Sequence, residues 1–321
     1  MNTSIFAVLK LLADGRFHSG EMIARQLGCS RTSVWQAIRC IEEELGLPVF
    51  SVRGQGYRLA ETLEMLDVAS IRKELTVHAA ERLTIITAES VDSTNTRLMQ
   101  CTRLEGMHGL MLAAELQTDG RGRQGRKWVM ALARGLTFSL LWRFDRGLSG
   151  LAGLSLAVGV ALARVLRALG VPVQLKWPND LVLSQQKLAG ILIEVSGEVN
   201  QPATVVIGIG LNLKRPISAD FSAAGLYEHG VNMSRNTLLA HLLNTLTDVL
   251  EVFNQYGFGP FCEEWMTLSS HQNEWVKLYF PHGETVEGIA RGVGPSGALL
   301  LETQCGVQAY HIGEVSLRSK E

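Results

Sequence analysis

Gly120-Arg121-Gly122-Arg123-Gln124-Gly125-Arg126-Lys127-Trp128 places three glycines, four cations and one indole within nine residues. Glycine lets backbone approach a phosphate closely, arginine forks bind phosphate through paired hydrogen bonds, and the indole of Trp128 offers a flat face to a base or ring. Such a loop suits closure over a polyanion, and a nucleotide is the natural ligand. It is not a P-loop: Arg126 and Lys127-Trp128 stand where that motif requires Lys followed by Ser or Thr. Composition alone would equally fit a solvated basic loop or a nucleic-acid patch, so the rest of the chain decides.

The 321 residues are 46% hydrophobic and 19% charged, enough for a sizeable core divided into two or three domains. A formal net charge of -1 gives the whole molecule no general attraction for nucleic acid or an anionic membrane, so any such binding must come from a local patch. The strongest local excess runs from Asp119 to Arg146, with seven cations against two acids. Cys29, Cys40, Cys101, Cys262 and Cys305 are odd in number, scattered and free of a C-x-x-C pair. They read as reduced thiols of a cytoplasmic protein, with neither a disulfide frame nor a metal site. The apolar start, Ile5 to Leu9, is broken by Lys10 and Asp14 and does not read as a signal peptide. Gly147 to Ala163 is uncharged but slightly short for a membrane span and rich in Gly, Ala and Ser, so a buried helix is expected and no membrane partner.

The first sixty or so residues read as three short helices and a hairpin. Ile5, Val8, Leu9 and Leu12 mark one amphipathic helix, and Ser19 caps a second carrying Met22, Ile23 and Leu27. After a turn at Gly28, Ser30 caps a third in which Val34, Ala37, Ile38, Ile41 and Leu45 face inward, leaving Arg31, Thr32, Ser33, Gln36 and Arg39 outward. Arg53-Gly54-Gln55-Gly56 then joins two short strands, with Arg58 on the second. Two helices around a glycine turn, followed by a cationic hairpin, are the pattern of a winged helix-turn-helix, whose arginines would meet phosphates and groove edges. A helical protein-interaction module would carry the same pattern.

A short linker, Glu61 to Ser70, leads into mixed strands and helices. Strands are expected over 83–87, 110–114, 136–142, 173–176, 181–183, 187–194 and 204–208, and helices over 93–103, 151–169 and 235–256. The missing strand–helix alternation disfavours a doubly wound Rossmann sheet. From His271 onward, short alternating strands separated by glycine-rich turns read as a small β-barrel.

Four further clusters lie in the central region. Ser93-Thr94-Asn95 opens a helix, where its hydroxyls and amide can cap or bind a polar ligand. Lys176-Trp177-Pro178-Asn179-Asp180 fits a rigid turn or a nucleotide contact. Lys187-Leu188-Ala189-Gly190-Ile191 puts one lysine at the mouth of an apolar strand. Gly208-Ile209-Gly210-Leu211-Asn212 lacks the third glycine of a dinucleotide fingerprint.

In this order, the S-T-N, G-R-G-R-x-G-R-x-W, K-W-P-N-D, K-L-A-G-I and G-I-G-L-N motifs closely resemble the biotin protein ligase family over essentially the whole chain. The winged helix-turn-helix matches the family's bifunctional bacterial form, the ligase that also represses the biotin operon. The resemblance implies an α+β multidomain chain: a winged helix-turn-helix (1–62), a central mixed sheet like that of class II aminoacyl-tRNA synthetases (63–270) and a C-terminal SH3-like β-barrel (271–321). It implies MgATP and biotin as substrates, biotinoyl-5'-AMP as intermediate and corepressor, and transfer to a lysine of the biotin carboxyl carrier protein of acetyl-CoA carboxylase. Operator DNA would be bound by an adenylate-loaded homodimer.

Carried over by motif, Ser93, Thr94, Asn95 and Gln117 would hold biotin's ureido ring, and Arg121, Gly122 and Arg123 would form the loop over biotin and phosphate. Lys187 would lie between the carboxylate and the α-phosphate, acting with Arg123 in catalysis. Arg126, Trp128, Asn179, Asp180 and Asn212 would contact the adenylate, and Arg31, Thr32, Ser33, Gln36, Arg39, Arg53 and Arg58 the DNA. After Trp128 the family commonly has a Ser-Pro-x-Gly turn, which Val129-Met130-Ala131-Leu132-Ala133-Arg134 replaces. Three other readings remain at this level: a lipoate or octanoate ligase, a ligand-sensing transcription factor without ligase activity, and a ligase whose DNA-binding domain no longer regulates.

Overall fold

The computed structural model describes residues 3–102, 107–197, 201–216, 223–280, 283–311 and 316–319. The N-terminal periodicities become α1 (Thr3–Leu12), α2 (Gly20–Leu27) and α3 (Arg31–Glu43), followed by the hairpin β1 (Val49–Val52) and β2 (Gly56–Leu59). Ser19 and Ser30 cap α2 and α3, accepting the amides of Met22 and Ser33 at 3.1 and 3.0 Å. Gly28 ends α2 in the left-handed region (φ 63°), which turns the chain into α3 without Cβ strain. Ile23, Val34, Ile38 and Ile41 close on Ile5, Leu9 and Leu12. One member of this core comes from far along the chain: Leu132, 1% exposed, in the segment after Trp128.

The stretch expected as a linker is held in place. The Glu64 carboxylate accepts the Arg235 amide and the Asn236 side chain, each at 2.8 Å. Arg235 also pairs with Glu115 at 2.9 Å, their side chains 3% and 4% exposed, and the Leu66 amide donates to the same Glu115. Removing one partner of a buried pair costs about 3–5 kcal/mol, so this network fixes the path of the connecting stretch at Glu64 to Leu66 across the central region.

The central region runs α4 (Val68–Lys73), α5 (Val77–Arg82), β3 (Thr84–Val91), α6 (Thr94–Cys101), β4 (Leu110–Gln117), β5 (Gly135–Phe144) and α7 (Leu154–Ala168). It continues with β6 (Gln174–Lys176), β7 (Asp180–Leu183), β8 (Gln186–Ser196), β9 (Ala203–Asn212), α8 (Arg235–Tyr256) and α9 (Cys262–Leu268). Arg103, expected at the end of α6, lies outside the described residues. The seven strands form one sheet in the order β3-β4-β5-β9-β8-β7-β6, with β3 and β4 parallel and the other pairs antiparallel.

Register assigns the faces of this sheet. Ala113, Phe138, Ile209 and Ile191 align across four strands and pack with α7 and α8 into the main core. One residue along, Ala114, Thr137, Gly210 and Gly190 align on the opposite face, and two residues further Leu112, Ser139, Gly208 and Leu192 do the same. The span Leu148–Ala168 is apolar and long enough to cross a membrane. Twelve of the fifteen residues of α7 are instead buried in the protein core.

The last strands, β10 (Trp275–Tyr279), β11 (Thr285–Val293), β12 (Leu299–Thr303), β13 (Gly306–Tyr310) and β14 (Ser316–Ser319), form an antiparallel sheet in the order β13-β12-β11-β10-β14. It is docked in part by Trp177, which is fully buried and whose Nε1 donates to the Gly297 carbonyl at 3.1 Å.

Candidate active site

The sheet face opposite α7 and α8 has a floor of small residues, and α6 lies across part of it. A Cβ on Gly208 would come 2.1 Å from Asn95 Oδ1, and one on Gly210 would come 2.2 Å from the Trp128 ring. The two glycines of G-I-G-L-N therefore let α6 and the glycine–arginine loop touch the sheet directly.

Ser93, Thr94 and Asn95 are buried at the start of α6, with Ser93 as N-cap. Thr94 donates its amide (2.7 Å) and hydroxyl (3.0 Å) to Gln117 Oε1 at the end of β4. That fixes the Gln117 amide and leaves Nε2 as a donor beside Gly120. Ser139 Oγ, on β5, sits 2.7 Å from Thr94 Oγ1 and donates to Asn95 Oδ1 at 2.5 Å. Asn95 Nδ2 donates to Glu194 Oε2 at 2.8 Å, and Arg121 Nη2 donates to Glu194 Oε1 at 2.7 Å. Four predicted side chains, Gln117, Thr94, Asn95 and Arg121, thus join one relay with two that sequence reasoning missed, Ser139 and Glu194. The only signal for those two was a polar residue within a largely apolar run of its strand.

The loop closes on itself. Trp128 N donates to Gly120 O (2.8 Å), Gly122 N to Arg126 O (2.7 Å) and Arg126 N to Arg123 O (3.1 Å). The turn at its tip uses positive φ at Gln124 (55°) and Gly125 (72°). Arg123 points inward and donates from Nη1 to Asn179 Oδ1 at 3.1 Å. Burial pulls its pKa below the usual arginine value, with Arg126 adding to the effect and Asp180 opposing it. Lys187 Nζ lies 2.7 Å from Asp180 Oδ1 and 5.7 Å from the centre of the Trp128 ring. Two buried donors in this corner, Arg123 Nη2 and Trp128 Nε1, find no hydrogen-bond partner among the described residues. A buried unpaired donor costs about 1–3 kcal/mol, so the corner is organised to receive acceptors. Asn179 and Asn212 turn their amide nitrogens inward, to Ile191 O (2.8 Å) and Lys187 O (3.3 Å). Both amides thereby brace the strand carrying Lys187, while Arg126 and Lys127 are exposed. Among the described residues no cluster of three or more His, Cys, Asp or Glu is placed to hold a metal ion.

On the N-terminal unit, Arg31, Thr32, Gln36 and Arg39 are exposed on α3 and Arg53 is exposed at the wing turn, while Ser33 is half-buried against Ser30. Arg39 is shared with Glu43 and lies 5.3 Å over the ring of Trp35, an outward residue that sequence reasoning passed over, 48% exposed. Arg58 lies instead between the rings of Phe17 (5.0 Å) and Phe50 (5.1 Å), so its guanidinium braces the wing.

Residues 87–212 match the biotin/lipoate A/B protein ligase family, residues 5–58 an HTH domain and residues 273–318 the biotin protein ligase C terminal domain. The chain is 40% identical to the bifunctional ligase/repressor BirA of Escherichia coli (strain K12), over all of this chain and 99% of that protein. It is 31% identical to the bifunctional ligase/repressor BirA of Bacillus spizizenii, over 95% of each. Among solved structures, the biotin protein ligase from Aquifex aeolicus in complex with biotin and ATP aligns with a TM-score of 0.64 at 30% identity, covering 74% of this chain and 99% of that one.

Proposed function

This chain belongs to the biotin protein ligase family, in the form that carries an N-terminal helix-turn-helix domain, and we propose that it couples biotin ligation to control of biotin-operon transcription. Biotin's carboxylate attacks the α-phosphorus of ATP, pyrophosphate leaves, and the resulting biotinoyl-5'-AMP is attacked at its acyl carbon by a lysine amine of a biotin carboxyl carrier protein, releasing AMP. Gln117 Nε2 and the polar start of α6 orient the ureido ring. Lys187 and Arg123 meet the charge that develops as the carboxylate joins the α-phosphate, and Trp128 with Arg126 covers the adenylate. Closure of Arg121–Trp128 over the mixed anhydride keeps water from it. Asp180, beside Lys187, is the carboxylate of this corner that would help hold a Mg2+ entering with the nucleotide, which would supply charge neutralisation at the leaving pyrophosphate.

The observation that carries this reading is the pair of unpartnered buried donors, Arg123 Nη2 and Trp128 Nε1, beside Lys187 on a glycine floor. In the regulatory half, Arg31, Thr32, Ser33, Gln36, Arg39 and Arg53 face operator DNA with Arg58 bracing the wing. Two adenylate-bound copies pair so that their winged units, residues 1–62, meet a two-fold site. Residues 63–270 form the ligase unit and 271–321 the C-terminal unit of a cytoplasmic protein. Biotin-dependent release of pyrophosphate from ATP tests the first half-reaction. Its absence at saturating biotin would refute the ligase reading, and operator binding unchanged by biotin plus ATP would refute the coupling.

A further inference from the structure

Glu194 puts a carboxylate on β8 between Ile193 and Val195, and its side chain is only 19% exposed. None of the substrate-facing roles above uses it. Its two oxygens answer two separate elements: Oε1 takes Arg121 Nη2 of the glycine–arginine loop at 2.7 Å, and Oε2 takes Asn95 Nδ2 of α6 at 2.8 Å. Asn95 is gripped from its other end by Ser139 Oγ at 2.5 Å, and Gly208 leaves room for that amide alone. Arg121 reaches α6 as well, donating from Nη1 to Thr96 Oγ1 at 3.3 Å. A largely buried carboxylate is stable here because both oxygens carry donors. The consequence is that the loop and the start of α6 share one anchor.

We propose that Glu194 is a positioning residue that clasps the glycine–arginine loop to the biotin pocket, so that ordering the pocket and closing the loop are one event. The clasp rests on the ligase reading for its effect on turnover, whereas its effect on the loop itself is independent of any substrate. Glu194→Gln keeps the size of the side chain. Its amide nitrogen cannot accept from Arg121 or Asn95, so one of the two contacts becomes donor against donor.

Two measurements on the full chain test it. Trypsin reports the loop without ligand, because Arg121, Arg123, Arg126 and Lys127 are all cleavage points within it. Glu194→Gln is expected to cut there roughly tenfold faster or more, while its melting temperature stays close to the parent's. In biotin-dependent pyrophosphate release, the KM for biotin and the loss rate of bound biotinoyl-5'-AMP are expected to rise roughly ten- to hundredfold, the range of a lost charge-assisted hydrogen bond. Combining it with Arg121→Gln should add little to the worse single variant, since both remove the same contact. Unchanged loop cleavage overturns the clasp, even if biotin kinetics change, because Glu194 would then act only through Asn95. Fully additive losses in the double variant overturn it too. Faster cleavage in a protein whose parent never consumes biotin keeps the clasp and removes the ligase reading.

Discussion

Gly210→Ala isolates the contact between the loop and the sheet. Gly210 lies in an ordinary extended strand, so alanine brings no backbone strain and its effect is one of space. The added methyl would lie 2.2 Å from Trp128 Cε2, 2.4 Å from Cζ2 and 2.5 Å from Nε1. The first of these is about 1.3 Å inside the roughly 3.5 Å at which carbon atoms rest. An indole cannot bend out of the way. Its backbone is tied to Gly120, and four residues on Leu132 is fixed in the N-terminal core. Strand or loop must give, at a cost of roughly 1–3 kcal/mol. If the loop gives, the cost falls on the closed, ligand-bound state, and retention of biotinoyl-5'-AMP drops roughly ten- to hundredfold. The melting temperature would change by only a few degrees. The assay is the decay of pre-formed adenylate on the protein, with Trp fluorescence on the same sample. Parent-like retention with a large fall in melting temperature would refute the reasoning, because the strand would have yielded and the loop stayed.

Lys187→Ala is expected to abolish most biotin-dependent pyrophosphate release while leaving circular dichroism unchanged, since the lysine sits at the rim of the floor, where it and its partner Asp180 are 25% and 24% exposed rather than fully buried. Leu132→Ala should destabilise the N-terminal unit by about 2–5 kcal/mol, the range for a truncated core leucine, and weaken operator binding even though the residue touches no DNA; differential scanning calorimetry and a gel shift check it. His271 is buried beside Ser270 and Lys176, and burial, reinforced by Lys176, lowers its pKa to about 4. Its neutral form is therefore favoured by folding. That stability is fully present above the unfolded value near 6.5 and is lost as pH falls towards 4, at most roughly 3 kcal/mol. Melting curves of His271→Gln should be flatter than the parent's between those pH values.

The winged helix-turn-helix was legible because caps, a glycine turn and a 3.6-residue period are all local in sequence. The mixed sheet was legible mainly through its motifs. The helices α4, α5 and α9, of six or seven residues, are too short to show a period and went unread. Ser139 and Glu194 were invisible for a different reason. Each gains meaning from a partner 44 to 99 residues away, placed opposite it by register and by the packing of α6. The replacement segment after Trp128 read as a loop anomaly. In the fold, it carries Leu132, which packs into the N-terminal core, a role set by burial that no local pattern announces.

Intact mass of a biotin carboxyl carrier domain, incubated with this protein, MgATP and either biotin or lipoate, tests the central claim most directly. The expected result is a mass increase of one biotinoyl group with biotin and none with lipoate. Addition of lipoate, or of neither, would contradict it.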